Sequence, residues 1–283
     1  MENIADTPIR IDLDAVLRQR APGVRKYMPR FVVRSLERLI HQDGLNYLLE
    51  HNHGRRDADF CAGVLSDLDV SVDICGPLPD PTHRKVILVS NHPLGALDGI
   101  TLIDVLSRHY SGNIYFIVND LLMAVEPLSG VFVPINKHGR QSRDAKMAVD
   151  MAMESDCPVV IFPAGLCSRK GKDGKVCDLE WKKMFVAKAR QYGRDIVPLH
   201  FNGRNSEFFY NFARWRKRLG IKFNLEMVLL PREIFRSRGK RLGVCFGTPI
   251  SHKSLSADIT AESERIKKTV YSLPDTQTSV KQI

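Results

Sequence analysis

Short apolar runs alternate with helix-length segments from Lys85 onward, and this alternation is the feature that constrains the fold most. The apolar runs lie at 85–90, 113–118, 130–135, 158–163 and 196–201, and two later segments at 223–230 and 242–247 extend the series. Helices are predicted at 98–106, 140–154, 179–192, 205–219 and 261–273. Such alternation is typical of an α/β fold with a mixed, mostly parallel sheet flanked by helices.

The N-terminal region differs from the rest, because its apolar residues recur at helical spacing and strand signals are few. The segment 28–49 is the clearest helical stretch, and Arg30, Arg34 and Arg38 fall on one face of it. That face is either the solvated side of a core helix or a basic amphipathic surface that lies on an anionic bilayer. We therefore divide the chain into a helical, membrane-associating N-terminal extension, residues 1–80, and an α/β domain, residues 81–283.

The composition narrows the class of protein but not its partner. The chain has 283 residues, of which 43% are hydrophobic, so it can bury a sizeable core and is not a disordered chain. It carries 42 Lys and Arg against 32 Asp and Glu, a balance that suits nucleic acid, an anionic membrane or an acidic protein. The basic residues concentrate at 18–38 and 204–241. Neither cluster carries a zinc-finger or RNA-recognition signature, so no nucleic acid is expected as a partner.

Other patterns argue against several common chemistries. No apolar run reaches the ~20 residues of a spanning helix, and the first residues lack the apolar core of a secretory signal. The six cysteines form no Cys-x-x-Cys pair, so we expect reduced thiols in a cytosolic compartment and no thiol nucleophile. The Gly-x-Ser-x-Gly elbow of α/β-hydrolases is absent from the sequence. His51 and His53 have no matching distant ligand, and no metal site is predicted.

The strongest local motif is Ser-Asn-His-Pro-Leu-Gly-Ala-Leu-Asp-Gly at 90–99, where a buried strand ends and a helix begins. Ligands of open α/β sheets bind beyond the carboxyl ends of the strands. His92 and Asp98 can approach each other across this turn, and a His beside a carboxylate is the recurring pair for general base catalysis. The alternative is a helix-capping Asp with a His that is hydrogen-bonded in a turn.

A second motif runs from 161 to 183, where a strand leads into a Gly-rich, strongly basic loop and then a helix. Free backbone N–H groups and the side chains of Arg169, Lys170, Lys172 and Lys175 suit an anion. The loop lacks the Gly-Lys-Ser/Thr of a Walker motif. The alternative is an exposed loop that its lysines keep soluble.

Taken in order, these segments resemble the glycerolipid acyltransferase family, whose founding members acylate lysophosphatidic acid. That family shows four blocks: Asn-His followed by an Asp, a Gly-x-x-Phe-type strand that ends in Arg, a Phe-Pro-Glu-Gly-Thr-Arg loop, and a Val-Pro strand end. The similar segments of this chain lie at 91–98, 130–137, 162–169 and 196–199. The resemblance covers roughly residues 85–250.

The resemblance implies an O-acyltransferase in which His92 takes a proton from an acceptor hydroxyl and Asp98 orients His92. The hydroxyl oxygen attacks the thioester of acyl-coenzyme A or of an acyl carrier protein, and backbone N–H groups near Gly165 or after Asp98 hold the oxyanion. Neither a cofactor nor a metal is needed. By their position in the blocks, the residues expected to bind substrate are Asn91, Asn136, Lys137, Phe162, Pro163, Gly165, Ser168, Arg169 and Lys170.

The spacing of the first block departs from the family pattern. Five residues instead of four separate His92 from Asp98 in this chain. The extra residue lies beside Gly95, and the turn must bulge there for the two side chains to meet.

Three positions that help to bind the acceptor's phosphate in the family also differ. The third-block Glu and Arg fall on Ala164 and Cys167, and the second-block Arg falls on Asn136. The variant pattern is similar to a bacterial, hemolysin-like subgroup associated with O-acylation of N-acylated amino acids, which have no phosphate. We therefore expect a lyso-aminolipid acceptor, whose single carboxylate Arg169 and Lys137 can hold.

Two other functions stay open at the level of sequence. One is acylation of lysophosphatidic acid in phospholipid synthesis, and the other is a basic membrane- or nucleic-acid-binding module without activity. The favoured enzyme has as partners an acyl thioester donor, a lyso-lipid acceptor and an anionic membrane surface. Its expected location is the cytoplasmic face of the inner membrane, as a peripheral protein.

Overall fold

The computed structural model describes residues 10–135, 143–221 and 224–274, and its helices and strands are numbered along the chain. Within these ranges the helices are α1 (Leu13–Arg20), α2 (Pro22–Tyr27), α3 (Arg30–Leu39), α4 (Gln42–His51), α5 (Asp57–Asp67), α6 (Ala96–His109), α7 (Arg143–Glu154), α8 (Met184–Tyr192), α9 (Glu207–Arg218), α10 (Leu230–Phe235) and α11 (Ile259–Ser272). The strands in the same ranges are β1 (Ser71–Cys75), β2 (Val86–Ser90), β3 (Tyr115–Asn119), β4 (Phe132–Ile135), β5 (Val159–Ile161), β6 (Arg169–Lys170), β7 (Val176–Cys177), β8 (Asp195–Asn202) and β9 (Arg241–Phe246).

Seven of these strands form one sheet in the order β1-β9-β8-β2-β5-β3-β4. Neighbouring strands run parallel, except that β8 and β9 are antiparallel. The predicted mixed, mostly parallel sheet is therefore confirmed. The short strands β6 and β7 form a separate antiparallel hairpin.

The central strand β2 is buried along its whole length, as its unbroken apolar sequence predicts. Successive side chains of a strand point to opposite faces of the sheet. Leu88 accordingly lies in one apolar core with residues of α5 and α6, whereas Ile87 and Val89 lie in a second core with residues of α7, α8 and α11. Helices thus cover both faces, and the chain that follows β2 emerges at the carboxyl edge of the sheet.

The N-terminal helices pack on the α/β body. Leu48 of α4 is buried in the first core, and the ring of His41 stacks on Phe235 of α10 with ring centroids 5.1 Å apart. The side chain of Asn46 both accepts from the N–H of Ile11 and donates to its carbonyl, which ties the residues before α1 to α4. Across the described ranges, every helix is too short or too polar to cross a membrane.

The helical prediction for the N-terminal region is wrong in two places. The segment 28–49 is not continuous, because His41 adopts a left-handed conformation with φ of 53° and separates α3 from α4. Residues 71–75 form the strand β1 at the edge of the sheet. This strand is half exposed and pairs on one side alone, so it lacks the apolar run that marks a buried strand.

Two predictions in the second half also need correction. The segment 223–230 does not extend the strand series, since residues 225–229 form a 3₁₀ turn that leads into α10. Helix α8 begins at Met184 rather than at 179, because the preceding residues are held by other bonds. The N–H of Lys182 donates to the carbonyl of Pro163, and the indole of Trp181 donates to Asp178.

The prediction of reduced thiols is wrong for one pair of cysteines. Cys75 and Cys245 lie directly opposite each other on the parallel strands β1 and β9 and form a disulfide. Their separation of 170 residues conceals this pairing in the sequence, because the register of the two strands alone brings them together. The four cysteines at 61, 157, 167 and 177 are free.

Candidate active site

The turn after β2 is fixed to the neighbouring strand by one buried amide. The side chain of Asn91 accepts from the N–H of Phe201 at 2.7 Å and donates to the carbonyl of the same residue at 2.9 Å. Because Phe201 lies on β8, this pair of hydrogen bonds sets the position of the chain immediately before His92. Asn91, a predicted substrate ligand, therefore serves the backbone of the turn.

His92 and Asp98 meet across the turn. Nδ1 of His92 lies 3.0 Å from Oδ2 of Asp98, in a close contact that is off the axis of a linear hydrogen bond. Asp98 belongs to the first turn of α6 and accepts from the N–H groups of Leu94 at 2.9 Å and Gly95 at 3.1 Å. The predicted bulge is present, because Gly95 has a φ of +78°, a conformation that side-chain-bearing residues rarely adopt.

The environment of Asp98 is unusual for a carboxylate. Its side chain is fully buried, and this burial raises the pKa of Asp98 above its ordinary value. The contact with His92 and the N–H groups of Leu94 and Gly95 oppose that rise. A buried acid that faces an imidazole is suited to stabilise positive charge when the imidazole takes up a proton.

A second carboxylate, which sequence reasoning missed, holds the backbone of His92. Oδ1 of Asp178 accepts from the N–H of His92 at 3.1 Å and from the hydroxyl of Ser168 at 2.5 Å, and Oδ2 accepts from the indole of Trp181 at 2.9 Å. The N–H of Ser168 in turn donates to the carbonyl of His92 at 2.7 Å. This network joins the His92 turn to the Gly-rich loop. No sequence spacing signals it, because 86 residues separate Asp178 from His92.

A cavity of about 810 Å³ opens beside His92. The ring of Phe162 stacks on the imidazole with centroids 4.0 Å apart, and Phe162, Pro163 and Gly165 line the cavity together with His92. Most of the remaining lining is apolar and comes from α4, α6, β3, β4 and α8. Since Nδ1 faces Asp98, Nε2 is the ring nitrogen left for a molecule in the cavity.

Among the other predicted ligands, those that the structure describes do not line this cavity. The hydroxyl of Ser168 is bonded to Asp178, and the ammonium of Lys170 is paired with Glu207 at 2.8 Å. Asn136 and Lys137 lie outside the described residues.

Arg169 is engaged in a buried ion pair. Its guanidinium donates to Glu226 at 2.7 Å and to the carbonyl of Cys167 at 2.5 Å, and Glu226 also receives Arg216 at 2.6 Å. Burial raises the pKa of the Cys167 thiol to about 11, so little of this thiol is present as the thiolate at neutral pH. Whether Arg169 binds the acceptor stays a prediction, and its present partner is Glu226.

Lys182 is a lining residue that the sequence analysis did not select. A Cβ built on Gly165 would lie 3.7 Å from its ammonium, so this cation reaches the loop beside His92. Among the residues that the structure describes, no acid pairs with it. Lys188 also lines the cavity but is paired with Asp150 at 2.5 Å. In the described ranges, no cluster of three or more His, Cys, Asp or Glu side chains could hold a metal ion.

Comparisons with known proteins show the family of the chain. A protein-family model described as "Acyltransferase" matches residues 15–278. The chain is 44% identical to a lyso-glycine lipid O-acyltransferase of Bacteroides thetaiotaomicron, over 95% of this chain and 99% of that protein. It is 43% identical to a protein of the same name from Phocaeicola vulgatus, over 95% of this chain and 96% of that protein.

A solved structure is also similar to the chain. It is the crystal structure of the 1-acyl-sn-glycerophosphate acyltransferase PlsC from Thermotoga maritima, with a TM-score of 0.45 and 17% sequence identity. The match covers 89% of this chain and 93% of that one.

Proposed function

The chain belongs to the acyltransferase family, and from this premise we propose that it moves an acyl chain from a thioester donor to the hydroxyl of a lyso-glycine lipid. Such an acceptor is an N-acyl amino acid that carries a hydroxyl on its acyl chain. The observation that carries the proposal is the contact of His92 with Asp98 at the wall of a large, mostly apolar cavity. The two relatives that are more than 40% identical support the choice of acceptor.

In the proposed mechanism, Nε2 of His92 accepts the proton of the acceptor hydroxyl while the oxygen attacks the thioester carbonyl. Asp98 stabilises the imidazolium that forms, and a positioned base of this kind contributes ~10²–10⁴ to the rate. The tetrahedral intermediate collapses with loss of the thiolate, which takes the proton back from His92. The products are the O-acylated lipid and a free thiol.

The oxyanion needs backbone donors near His92. The N–H of Gly165 already donates to the carbonyl of Phe162, so it is not free for the substrate. The first turn of α6 is the better source, because the N–H groups of a first helical turn have no partners within the helix. Ala96 of that turn lines the cavity.

The acceptor's carboxylate needs a cation beside the catalytic pair. We assign this role first to Lys182, whose ammonium lies beside Gly165 at the cavity. The sequence-based candidate Arg169 is a second partner that would have to share its guanidinium with Glu226. A single carboxylate forms fewer charge-assisted hydrogen bonds than a phosphate dianion does. This difference agrees with the replacement of the family's Glu and Arg residues by Ala164, Cys167 and Asn136 in this chain.

The donor is proposed to be acyl-coenzyme A or an acyl carrier protein, and the basic surface suits the phosphates of the one and the acids of the other. We further propose a peripheral location at the cytoplasmic face of the inner membrane. The exposed side chains of Arg30, Arg34 and Arg38 support adsorption to anionic lipid.

A thiol-release assay tests the function. Purified protein with an acyl thioester should release free thiol when lyso-glycine lipid is supplied, and much less with lysophosphatidic acid at the same donor concentration. A preference for lysophosphatidic acid would assign the chain to phospholipid synthesis. If no donor and acceptor pair releases thiol, and nucleic acid binds with a steep salt dependence, the binding-module interpretation is correct.

A further inference from the structure

Helix α9 exposes a row of large apolar side chains. Phe208, Phe212, Trp215 and Leu219 follow one another at intervals of four, three and four residues, which places them on one side of the helix. Phe208 is 47% exposed, Trp215 55% and Leu219 56%, whereas Phe212 between them is partly buried against the core. The opposite side of α9 is anchored in the protein, where Phe209 and three other residues are buried. The row therefore lies on the solvent-facing side of a helix whose other side is packed in the protein.

The turn after α9 packs against this helix and also borders the cavity. In the 3₁₀ turn 225–229, Leu225 and Val228 are exposed, whereas Leu229 is buried against Phe209. Met227 of the same turn and Leu230 line the cavity. One short segment that packs against α9 thus exposes two apolar side chains and also borders the space beside His92. The α9 face, as named here, consists of Phe208, Phe212, Trp215, Leu219, Leu225 and Val228.

Cations lie close to the α9 face. Arg214 and Arg218 are exposed on the same helix, and the guanidinium of Arg232 lies 4.7 Å from the centre of the Phe208 ring. The acid at the start of the helix, Glu207, is already paired with Lys170 and Arg204. From 204 to 241 the sequence contains eleven basic residues and three acids.

We propose that the α9 face is a membrane-docking surface that lies on an anionic bilayer and brings the cavity to the lipid from which the acceptor enters. Trp and Phe beside Arg and Lys are the residues that place an amphipathic helix at the boundary between headgroups and acyl chains. This surface lies on a different helix from α3, where the sequence predicted membrane contact. The entrance of the acceptor here rests on the proposed function, whereas the docking itself does not.

Two other occupants fit the observations less well. A second copy of the chain that packs through the same face would bring the nearby cations, Arg218 and Arg232, close to the same cations of its partner. An acidic carrier protein would match the charges but would not call for an exposed row of aromatic side chains at the centre. A bilayer with anionic headgroups matches both features, because its acyl chains can contact the apolar row and its headgroups can pair with the nearby cations.

The position of the tryptophans allows a direct test. The chain has two, and Trp181 is 3% exposed whereas Trp215 lies in the α9 face. Addition of vesicles of equal parts phosphatidylcholine and phosphatidylglycerol should shift the emission to shorter wavelength, and brominated lipid should quench it. In W215F, the remaining emission of Trp181 should change in neither experiment. An unchanged Trp215 emission on bound vesicles would overturn the proposal.

A variant that removes the apolar row separates docking from catalysis. F208S/W215S/L219S should partition onto the same vesicles at least about tenfold more weakly, because interfacial binding scales with buried apolar area. It should lose activity on vesicle-embedded acceptor but keep it on a short-chain, water-soluble acceptor. The control L78S/L179S removes two exposed leucines elsewhere and should behave as the wild type.

The remaining outcomes also decide the question. A Trp215 shift that appears with rising protein concentration in the absence of vesicles would assign the α9 face to self-association. A shift with purified acyl carrier protein alone would assign it to the donor. If the wild type never releases thiol but Trp215 still enters vesicles, the docking surface stands and the proposed function fails.

Discussion

The N–H of His92 donates to Oδ1 of Asp178 at 3.1 Å, so a buried carboxylate 86 residues along the chain holds the backbone of the proposed general base. The same oxygen accepts a hydrogen bond from the hydroxyl of Ser168, and the backbone N–H of Ser168 donates to the carbonyl of His92. The imidazole is therefore positioned twice, by Asp98 at the ring and by Asp178 at the backbone. Asp178 does not line the cavity and acts through His92 rather than on the substrate.

Replacement of Asp178 by Asn should lower kcat while changing the donor's KM little. Both carboxylate oxygens of Asp178 accept hydrogen bonds, so the amide nitrogen that the substitution introduces would face another hydrogen-bond donor. A buried polar group without a partner lowers the free energy of unfolding by about 1–3 kcal/mol. Steady-state kinetics and thermal unfolding of Asp178→Asn measure both effects. Asp173→Asn, an exposed acid of the same loop, is the matched control. An equal loss of kcat in both variants, or a change confined to KM, would contradict the positioning role.

Replacement of Asp98 by Asn should separate activity from stability. Because burial raises the pKa of Asp98, its contribution to stability is fully present below the ordinary Asp pKa of about 3.9 and is lost as the pH rises through the folded value. Asn carries no charge to bury, so Asp98→Asn should be at least as stable as the wild type at neutral pH. Its turnover should fall by ~10²–10⁴.

Thermal unfolding at neutral and at acidic pH tests this expectation. The stability advantage of Asp98→Asn over the wild type should shrink as the pH falls toward the ordinary Asp range. A variant that is much less stable at neutral pH, or that keeps normal turnover, would show that Asp98 is a structural cap and nothing more.

How much of the site was visible in the sequence depends on the distance along the chain. His92, Asp98 and the bulge at Gly95 lie within one turn, and local motif reasoning located them. The strand before them was predictable because its apolar run is continuous. Asp178 escaped prediction, since no spacing rule connects a loop acid to a distant backbone N–H.

The same limit explains the errors. Cys75 and Cys245 are joined by the register of β1 on β9, which is a property of the assembled sheet. The sequence predicts Arg169 as a substrate ligand because it gives no sign of the ion pair with Glu226, which lies 57 positions further along the chain. The apolar residues at 223–230 predict a strand, but in the structure they form a 3₁₀ turn with one exposed side and one side that lines the cavity.

Lys182 should set the affinity for the acceptor. Lys182→Met removes the unpaired cation beside Gly165, and loss of a charge-assisted bond of about 1.5–3 kcal/mol should raise the acceptor's KM by about ten- to a hundredfold. The donor's KM should stay near its normal value. Lys183→Met, which removes a neighbouring exposed lysine, should leave both constants unchanged.

Arg169→Met provides the comparison. Because this substitution leaves buried Glu226 with one guanidinium fewer, we expect a lower melting temperature together with any rise in the acceptor's KM. A selective rise in the acceptor's KM at unchanged stability would move the carboxylate from Lys182 to Arg169.

The basic face of α3 should strengthen adsorption to anionic vesicles. Each of Arg30, Arg34 and Arg38 can contribute about 1 kcal/mol near such a surface, so the triple Ala variant should float less with anionic vesicles, most clearly at low salt. The charge-matched control replaces three exposed cations on the other side of the sheet, namely Arg190, Lys253 and Lys268. Equal flotation of the triple variant and the wild type would limit membrane contact to other surfaces.

The most direct test of the account is the rate of thiol release by His92→Ala, with an acyl thioester and lyso-glycine lipid as substrates. His92 lies in a turn whose backbone is held by Asp178 and Ser168, and the substitution leaves these backbone hydrogen bonds in place, so the variant should fold normally. His53→Ala, an exposed histidine outside the site, is the control and should retain full activity. We predict that His92→Ala is slower by ~10²–10⁴ at saturating substrate. Turnover of His92→Ala close to that of the wild type would contradict general base catalysis by this residue.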